Sequence, residues 1–307
     1  MTAGEQINSI RRAQLMRWAT YASVSVACLL IGAKILAWLS TDSVSLLSTL
    51  IDSTLDAAAS LINLIAVRHA LEPADREHRF GHGKAEALAG LAQSTFILGS
   101  AMFLLVEAGQ RALEPKPLDN TELGYAVMVF SIVLTVFLVI FQRFVVRRSG
   151  SLAISADSLH YQTDILINFS VIISLFLTSQ LHLTWADPLI AAGIAFYIIH
   201  CAWQIGGTVL QVLMDRELPD EDRQKIGDLA LSIDGVSGLH DLRTRSSGAH
   251  VFIQLHLQMD GNMRLNEAHE IADQVEQKIS AAFKTAEVIV HQDPDDLDEG
   301  HRDFSAD

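Results

Sequence analysis

The sequence predicts an α-helical membrane protein, with six transmembrane helices followed by a cytoplasmic α+β domain, and three observations carry that expectation. Half of the 307 residues are apolar, and they gather in six stretches long enough to cross a bilayer. The charges divide at Met214: 15 acidic and 13 basic residues lie up to it, 21 acidic and 9 basic beyond it. After Met214 the apolar residues take up helical spacing and then strict alternation, the patterns of amphipathic helices and half-buried strands. The expected organisation is a cytoplasmic N-terminal segment at 1–17, a membrane domain at 18–213, a soluble domain at 214–293 and an acidic, disordered tail at 294–307.

The six spans are expected at 18–39, 44–67, 86–107, 121–142, 152–178 and 187–213. Their flanking charges set the orientation. Arg11, Arg12 and Arg17 precede the first span, Arg68, Arg76, Arg79 and Lys84 follow the second, and Arg143, Arg147 and Arg148 follow the fourth. The opposite loops carry only Arg111 and Lys116, so both termini are expected in the cytoplasm. Pro115 and Pro117 mark the loop around Lys116 as an outward turn. Gly90, Ser94, Gly99, Gly193, Gly206 and Gly207 in spans three and six suit close helix packing.

Polar residues inside these spans are the first functional signal. Asp52 and Asp56 in span two stand one helical turn apart on one face, and His160 with Asp164 repeats that spacing in span five. A single aspartate at a helix centre costs about 2.5–3.5 kcal/mol to insert, so such groups mark functional sites by default. Span two runs outward to inward and span five the reverse, so counting at ~1.5 Å per residue places all four near the bilayer midplane. Three carboxylates and an imidazole make a four-coordinate set for a divalent metal of the zinc type. Asn63, Asp157 and Asn168 extend the two polar lines, which are expected to face a shared cavity. Lys34 in span one is expected to snorkel or to pair within the bundle, outside the metal set.

Two further clusters carry ligand chemistry. Between spans two and three, Asp75, His78 and His82 fall within eight residues, and Gly81 and Gly83 give the loop turn freedom to close on a metal; a charged juxtamembrane loop is the bland alternative. In the soluble domain a helix is expected at 220–232, strands at 238–245 and 249–259, a second helix at 265–283 and a last strand at 287–291. Helices on one face of a small sheet make an αββαβ sandwich. His240, His256, His269 and His291 collect there, with Asp293 two residues after the last. Spacing alone leaves both a metal site at the sheet edge and ordinary surface histidines open. His250 and His301 read as surface residues.

Several classes are excluded or disfavoured. The acidic soluble part repels nucleic acid. Cys28 and Cys201 both lie in apolar spans and imply no disulfide framework. No removable signal peptide is expected. No His-Glu-x-x-His motif is present, so a metalloprotease is disfavoured and the chain is expected not to be an enzyme.

The six-span plan, Asp52/Asp56 with His160/Asp164, the stretch Phe80-Gly-His-Gly-Lys84-Ala-Glu86 and the phrase His240-Asp-Leu-Arg-Thr-Arg245 together resemble the cation diffusion facilitator family. The resemblance covers nearly the whole chain. It implies a metallochaperone-like soluble domain and a transport site at Asp52, Asp56, His160 and Asp164. It further implies a loop site at Asp75, His78 and His82, and a binuclear cytoplasmic site at His240, His256, His269, His291 and Asp293. It implies a homodimer in a bacterial inner membrane that exchanges zinc, and also cadmium or ferrous iron, for protons, with zinc in structural or regulatory roles as well. A charge pair Lys84–Asp215 near the dimer contact is part of the same implication. A passive metal channel and a metal-sensing membrane receptor remain the alternatives.

Overall fold

The computed structural model describes residues 3–41, 44–113, 122–181, 185–283 and 285–296. The loop around Lys116 and the tail from 297 onward, His301 included, lie outside the described residues. The chain divides into two compact units, one of Ile7–Pro73 and Ala85–Leu210, the other of Met1–Gln6, Ala74–Lys84 and Gln211–Asp307.

The first unit is helical: α1 (Ala3–Thr41), α2 (Val44–Ala70), α3 (Lys84–Leu113), α4 (Glu122–Ser149), α5 (Leu152–Leu181) and α6 (Ala186–Leu213). All but α5 contain described windows long and apolar enough to cross a membrane. At 30 residues α5 exceeds the ~20 needed for a span and carries the ionisable residues singled out above. Large apolar side chains such as Trp18, Leu36, Phe103, Phe137 and Trp203 are more than half exposed, as expected where lipid is the solvent. Helix α1 begins some fifteen residues before the expected span. Residues 3–17 contain no proline and only Gly4 as a breaker, and Met16 is already buried, so the helix has no physical reason to stop there.

The inside of the bundle is organised by α5. One buried cluster joins its Ala153 and Ile154 to Met16, Val67, Ala89 and Val145. A second joins Tyr161 to Val26, Leu30 and Leu138, and a third joins Leu159 to Ile97, Ala101 and Ile198. Every other helix of the bundle therefore meets α5 in at least one cluster. The small-residue expectation is visible at Gly90, where a Cβ would sit 3.1 Å from the Val209 side chain, and at Gly206, 3.3 Å from Ser94 Oγ.

The second unit contains α7 (Asp220–Leu231), β1 (Gly238–Ser247), β2 (His250–Met259), α8 (Leu265–Ala282) and β3 (Ala286–Pro294). The sheet order is β1-β2-β3, with β1 and β2 antiparallel and β2 and β3 parallel across the α8 crossover. Ile253, Leu255, Leu257 and Met259 alternate along β2 and pack on Ile226 and Ala230 of α7 and Val275 and Ile279 of α8. Both helices thus cover one face, and the even positions, His256 among them, point to the other. The last strand is longer than its apolar core suggests. It runs to Pro294, and the Asp295 amide donates to the Met259 carbonyl, so the fold extends past the expected boundary at Asp293.

Candidate metal centres

In the helical unit, α2 and α5 bring ligand atoms of Asp56, His160 and Asp164 within 4.8 Å of one another. His160 Nε2 stands 3.0 Å from Asp56 Oδ1, and Phe96 closes on the imidazole edge-to-face at 5.7 Å. Asp52 lies outside the group and is exposed. The buried line of α2 runs through Ser53, Ser60, Asn63 and Val67. Four residues advance a helix by about 40° beyond a full turn, which leaves Asp56 beside that line and Asp52 farther round.

Two polar features accompany the cluster. Lys34 Nζ donates to Ser53 Oγ at 2.6 Å and to the Thr49 carbonyl at 3.0 Å. That position brings its charge within electrostatic range of Asp52, Asp56 and Asp164. The expected pairing within the bundle is therefore realised beside the metal group itself, which single-span reasoning had no means to find. Asp157 departs from the expected cavity line. Its Oδ2 accepts from Ser23 Oγ and from Gln142 Nε2, a buried link among α5, α1 and α4. Asn63 lines a mostly apolar cavity between α2 and α3, with Nδ2 3.5 Å from the Ala153 carbonyl, and Asn168 donates to the Asp164 carbonyl of its own helix.

In the second unit, the loop centre brings Asp75, His78 and His82 together within the same 4.8 Å limit. Asp75 Oδ1 lies 3.4 Å from His78 Nδ1, and its Oδ2 3.4 Å from His82 Nε2. The backbone N–H of His78 above all, and that of Glu77, donate to the Asp75 carboxylate and hold its pKa below the usual range against the opposing desolvation. The loop is seated against the sheet. Phe80 meets Phe252 edge-to-face, and the Arg245 guanidinium lies 4.9 and 4.6 Å from those two rings. Gly83 is required there, because a Cβ would fall 2.4 Å from the Ser247 carbonyl oxygen. Lys84 Nζ pairs with Asp215 at 2.9 Å, the charge pair the resemblance implied.

The cytoplasmic centre is a product of strand register. His240 pairs with His256 and His256 with His291, so three imidazoles stand abreast across three strands. Asp293, 5% exposed, sits among them: its Oδ2 is 2.8 Å from His256 Nδ1 and 3.2 Å from His240 Nε2, and its Oδ1 is 3.0 Å from His291 Nε2. His240, His256 and Asp293 each bring a ligand atom within 4.8 Å of the others. A buried carboxylate ringed by imidazoles is a nitrogen–oxygen donor set that fits zinc. His269 does not join. It projects from α8, on the layer packed against the opposite face, and lies near Asp273 at 3.8 Å with its side chain 67% exposed. Asp241 was missed by sequence reasoning. Its positive φ of 46° falls where the β1–β2 register shifts, and that bulge turns its carboxylate to 3.7 Å from His256 Nε2.

Carboxylates and an imidazole gathered among membrane helices are the equipment of a multi-pass cation transporter. Comparison with known proteins makes the class specific. Residues 20–214 match the cation efflux transmembrane domain, and residues 218–295 match the cytoplasmic domain of cation efflux proteins. The chain belongs to the cation efflux family, the cation diffusion facilitators, and is a transporter of divalent metal cations. Among its relatives, the cation-efflux pump FieF of Shewanella oneidensis is 50% identical over 279 residues, covering 91% of this chain and 94% of that protein. FieF of Salmonella agona is 50% identical over 283 residues, covering 92% and 93%. A structure of CzrB is 28% identical over 25% of this chain and 98% of its own, with a TM-score of 0.24.

Proposed function

We propose that this chain is a proton-coupled antiporter that exports zinc, and also cadmium or ferrous iron, from the bacterial cytoplasm by alternating access of a homodimer. The observation that carries the reading is the convergence of Asp56, His160 and Asp164 between two membrane helices. Zinc with bonds of about 2 Å holds its tetrahedral ligands about 3.3 Å apart. The 3.0 Å separation of His160 and Asp56 is already close to that, and a modest closure brings in Asp164. Asp52, one turn away on α2, completes four ligands if the helix rotates by a few tens of degrees.

Proton coupling follows from the ligands. Metal binds deprotonated carboxylates and neutral imidazole, so loading releases protons and acidification expels metal. A site with one imidazole and carboxylates favours zinc and cadmium, whereas an all-oxygen site leans toward manganese. At the cytoplasmic centre a metal held by His240, His256, His291 and Asp293 bridges three strands, and His269 is available to a second copy of the chain. Filling that centre, and the loop centre, biases the dimer that carries the membrane site. The arginines on one set of loops support placing both termini in the cytoplasm.

The test is counter-transport by the full-length protein in vesicles, read with a zinc dye and a pH dye together. Zinc entry should drive proton exit and should follow an imposed pH gradient. Zinc flux indifferent to that gradient leaves a passive channel. Zinc binding without flux leaves a receptor.

A further inference from the structure

The last turns of α4 and the first turns of α5 line an open, shallow cavity of about 280 Å³ that takes no part in the metal centres. Arg143, Val146 and Arg147 line it from α4, and Ser155, Ser158 and Gln162 from α5. Spacings of three and four residues put each trio on one helix face. No Asp or Glu lines the cavity, and neither arginine has a carboxylate partner among the described residues.

The donors are arranged rather than merely present. Gln162 Nε2 donates to the Ser158 carbonyl at 2.9 Å and to its Oγ at 3.2 Å, which fixes the amide. Gln162 Oε1, so oriented, accepts from Arg143 Nη2. That contact uses one edge of the guanidinium and leaves other N–H groups for a ligand. Ser158 Oγ, as an acceptor from Gln162, keeps its own proton to donate. Positive charge at this end of α4 is explained by membrane topology alone, but topology requires neither the Gln162 brace nor two hydroxyls. Arg148, the third arginine of the cluster, behaves differently and stacks on Phe144 at 4.6 Å.

Two guanidinium forks with hydroxyl donors and no competing carboxylate match a phosphate. We propose that this cavity seats the phosphate of an anionic lipid headgroup in the cytoplasmic leaflet. The leaflet assignment rests on the orientation proposed above, which puts the end of α4 at the cytoplasmic surface, where anionic lipids bind basic pockets between helices. Ser158 and Gln162 flank His160 by two residues on either side along α5. A lipid held there restrains the helix that carries the membrane ligands, so headgroup composition should tune transport.

The experiment is native mass spectrometry of the full-length protein with phosphatidylglycerol, phosphatidylcholine or inorganic phosphate added. Wild type should retain phosphatidylglycerol roughly tenfold better than phosphatidylcholine, and Arg143→Gln/Arg147→Gln should lose that preference. Arg143→Lys/Arg147→Lys, which keeps the charge but not the fork, should retain part of it. The glutamine variant should still transport zinc in phosphatidylcholine vesicles, which shows it folded, and should lose the stimulation that phosphatidylglycerol gives wild type. Equal retention of phosphatidylglycerol by wild type and the glutamine variant overturns the proposal, and so does equal retention of the two lipids. Displacement of the lipid by inorganic phosphate overturns the lipid as source. Because lipid retention is read without metal, failure here is distinguishable from failure of the antiport reading.

Discussion

The membrane and cytoplasmic centres use the same two side chains, imidazole and carboxylate, but build their sites by opposite means. In the membrane the spacing is helical: His160 and Asp164 stand one turn apart on α5 and meet Asp56 across a helix pair. In the soluble unit the spacing is lateral: His240, His256 and His291 come from three strands and are aligned only by register. A helical site can change when one helix turns or slides against its neighbour. A site across a hydrogen-bonded sheet changes only if strands part. The contrast suits a centre that must load and unload in the membrane and one that holds its metal in the cytoplasm.

The largest effect expected from this comparison is at Asp56. Losing an outer hydrogen-bond partner of a metal ligand costs about 10–100-fold in affinity, so losing a ligand outright should cost at least the upper figure. Asp56→Ala should abolish zinc-driven proton movement in vesicles while calorimetry still detects zinc bound at the cytoplasmic centre. A near-normal transport rate removes the membrane cluster from the mechanism. His160→Asp sharpens the same point, because an all-carboxylate set should let manganese compete with zinc. Unchanged competition counts against the imidazole as the selectivity element.

Asp293 is the complementary break. It touches all three imidazoles of the row and is itself a proposed ligand, so Asp293→Ala should weaken zinc binding at the cytoplasmic centre by about 100-fold or more. The membrane site should still transport, with a changed dependence on cytoplasmic zinc. If that dependence is untouched, the cytoplasmic centre is structural only.

These two residues also mark what was legible in the sequence. Asp56, His160 and Asp164 were readable because helical periodicity is local: a separation of four fixes a shared face without knowledge of any neighbour. The exclusion of Asp52 was not readable, because it depends on which line of α2 faces the bundle. The αββαβ order followed from local patterning, and the histidine row did not. Register is a relation between strands, and the bulge that delivers Asp241 leaves no mark in composition. Lys34 was passed over for the same reason. Its partners Ser53 and Thr49 lie on another helix, so nothing near it in the sequence announces the carboxylates it faces.

Lys34 gives the next prediction. Lys34 Nζ, held by Ser53 and Thr49 within electrostatic range of three carboxylates, offsets part of their charge when protonated and then competes with an incoming cation. At an effective dielectric near 20 such an interaction is worth on the order of 1 kcal/mol or more. Lys34→Met should tighten zinc at the membrane centre by roughly tenfold and slow its release, while the cytoplasmic centre is unaffected. Weaker zinc binding would show instead that the lysine is needed to shape the site.

The smallest effect concerns the loop centre, where pH separates the carboxylate from the imidazoles. Backbone N–H groups of His78 and Glu77 hold Asp75 below its ordinary pKa, so it stays ionised throughout the neutral and mildly acidic range. The sign follows: a depressed carboxyl contributes fully above its unfolded value of about 3.9 and loses that contribution only as pH falls through its lower folded value. Asp75→Asn should therefore weaken zinc at the loop by a factor that stays the same from about pH 7 down to about pH 4, where an ordinary carboxyl would already be half protonated. Titration of the isolated loop signal, with the membrane and cytoplasmic ligands removed by Asp56→Ala and Asp293→Ala, measures that factor. A ratio already shrinking toward one near pH 4, where an ordinary carboxyl is half protonated, would mean that the two amides do not hold it ionised.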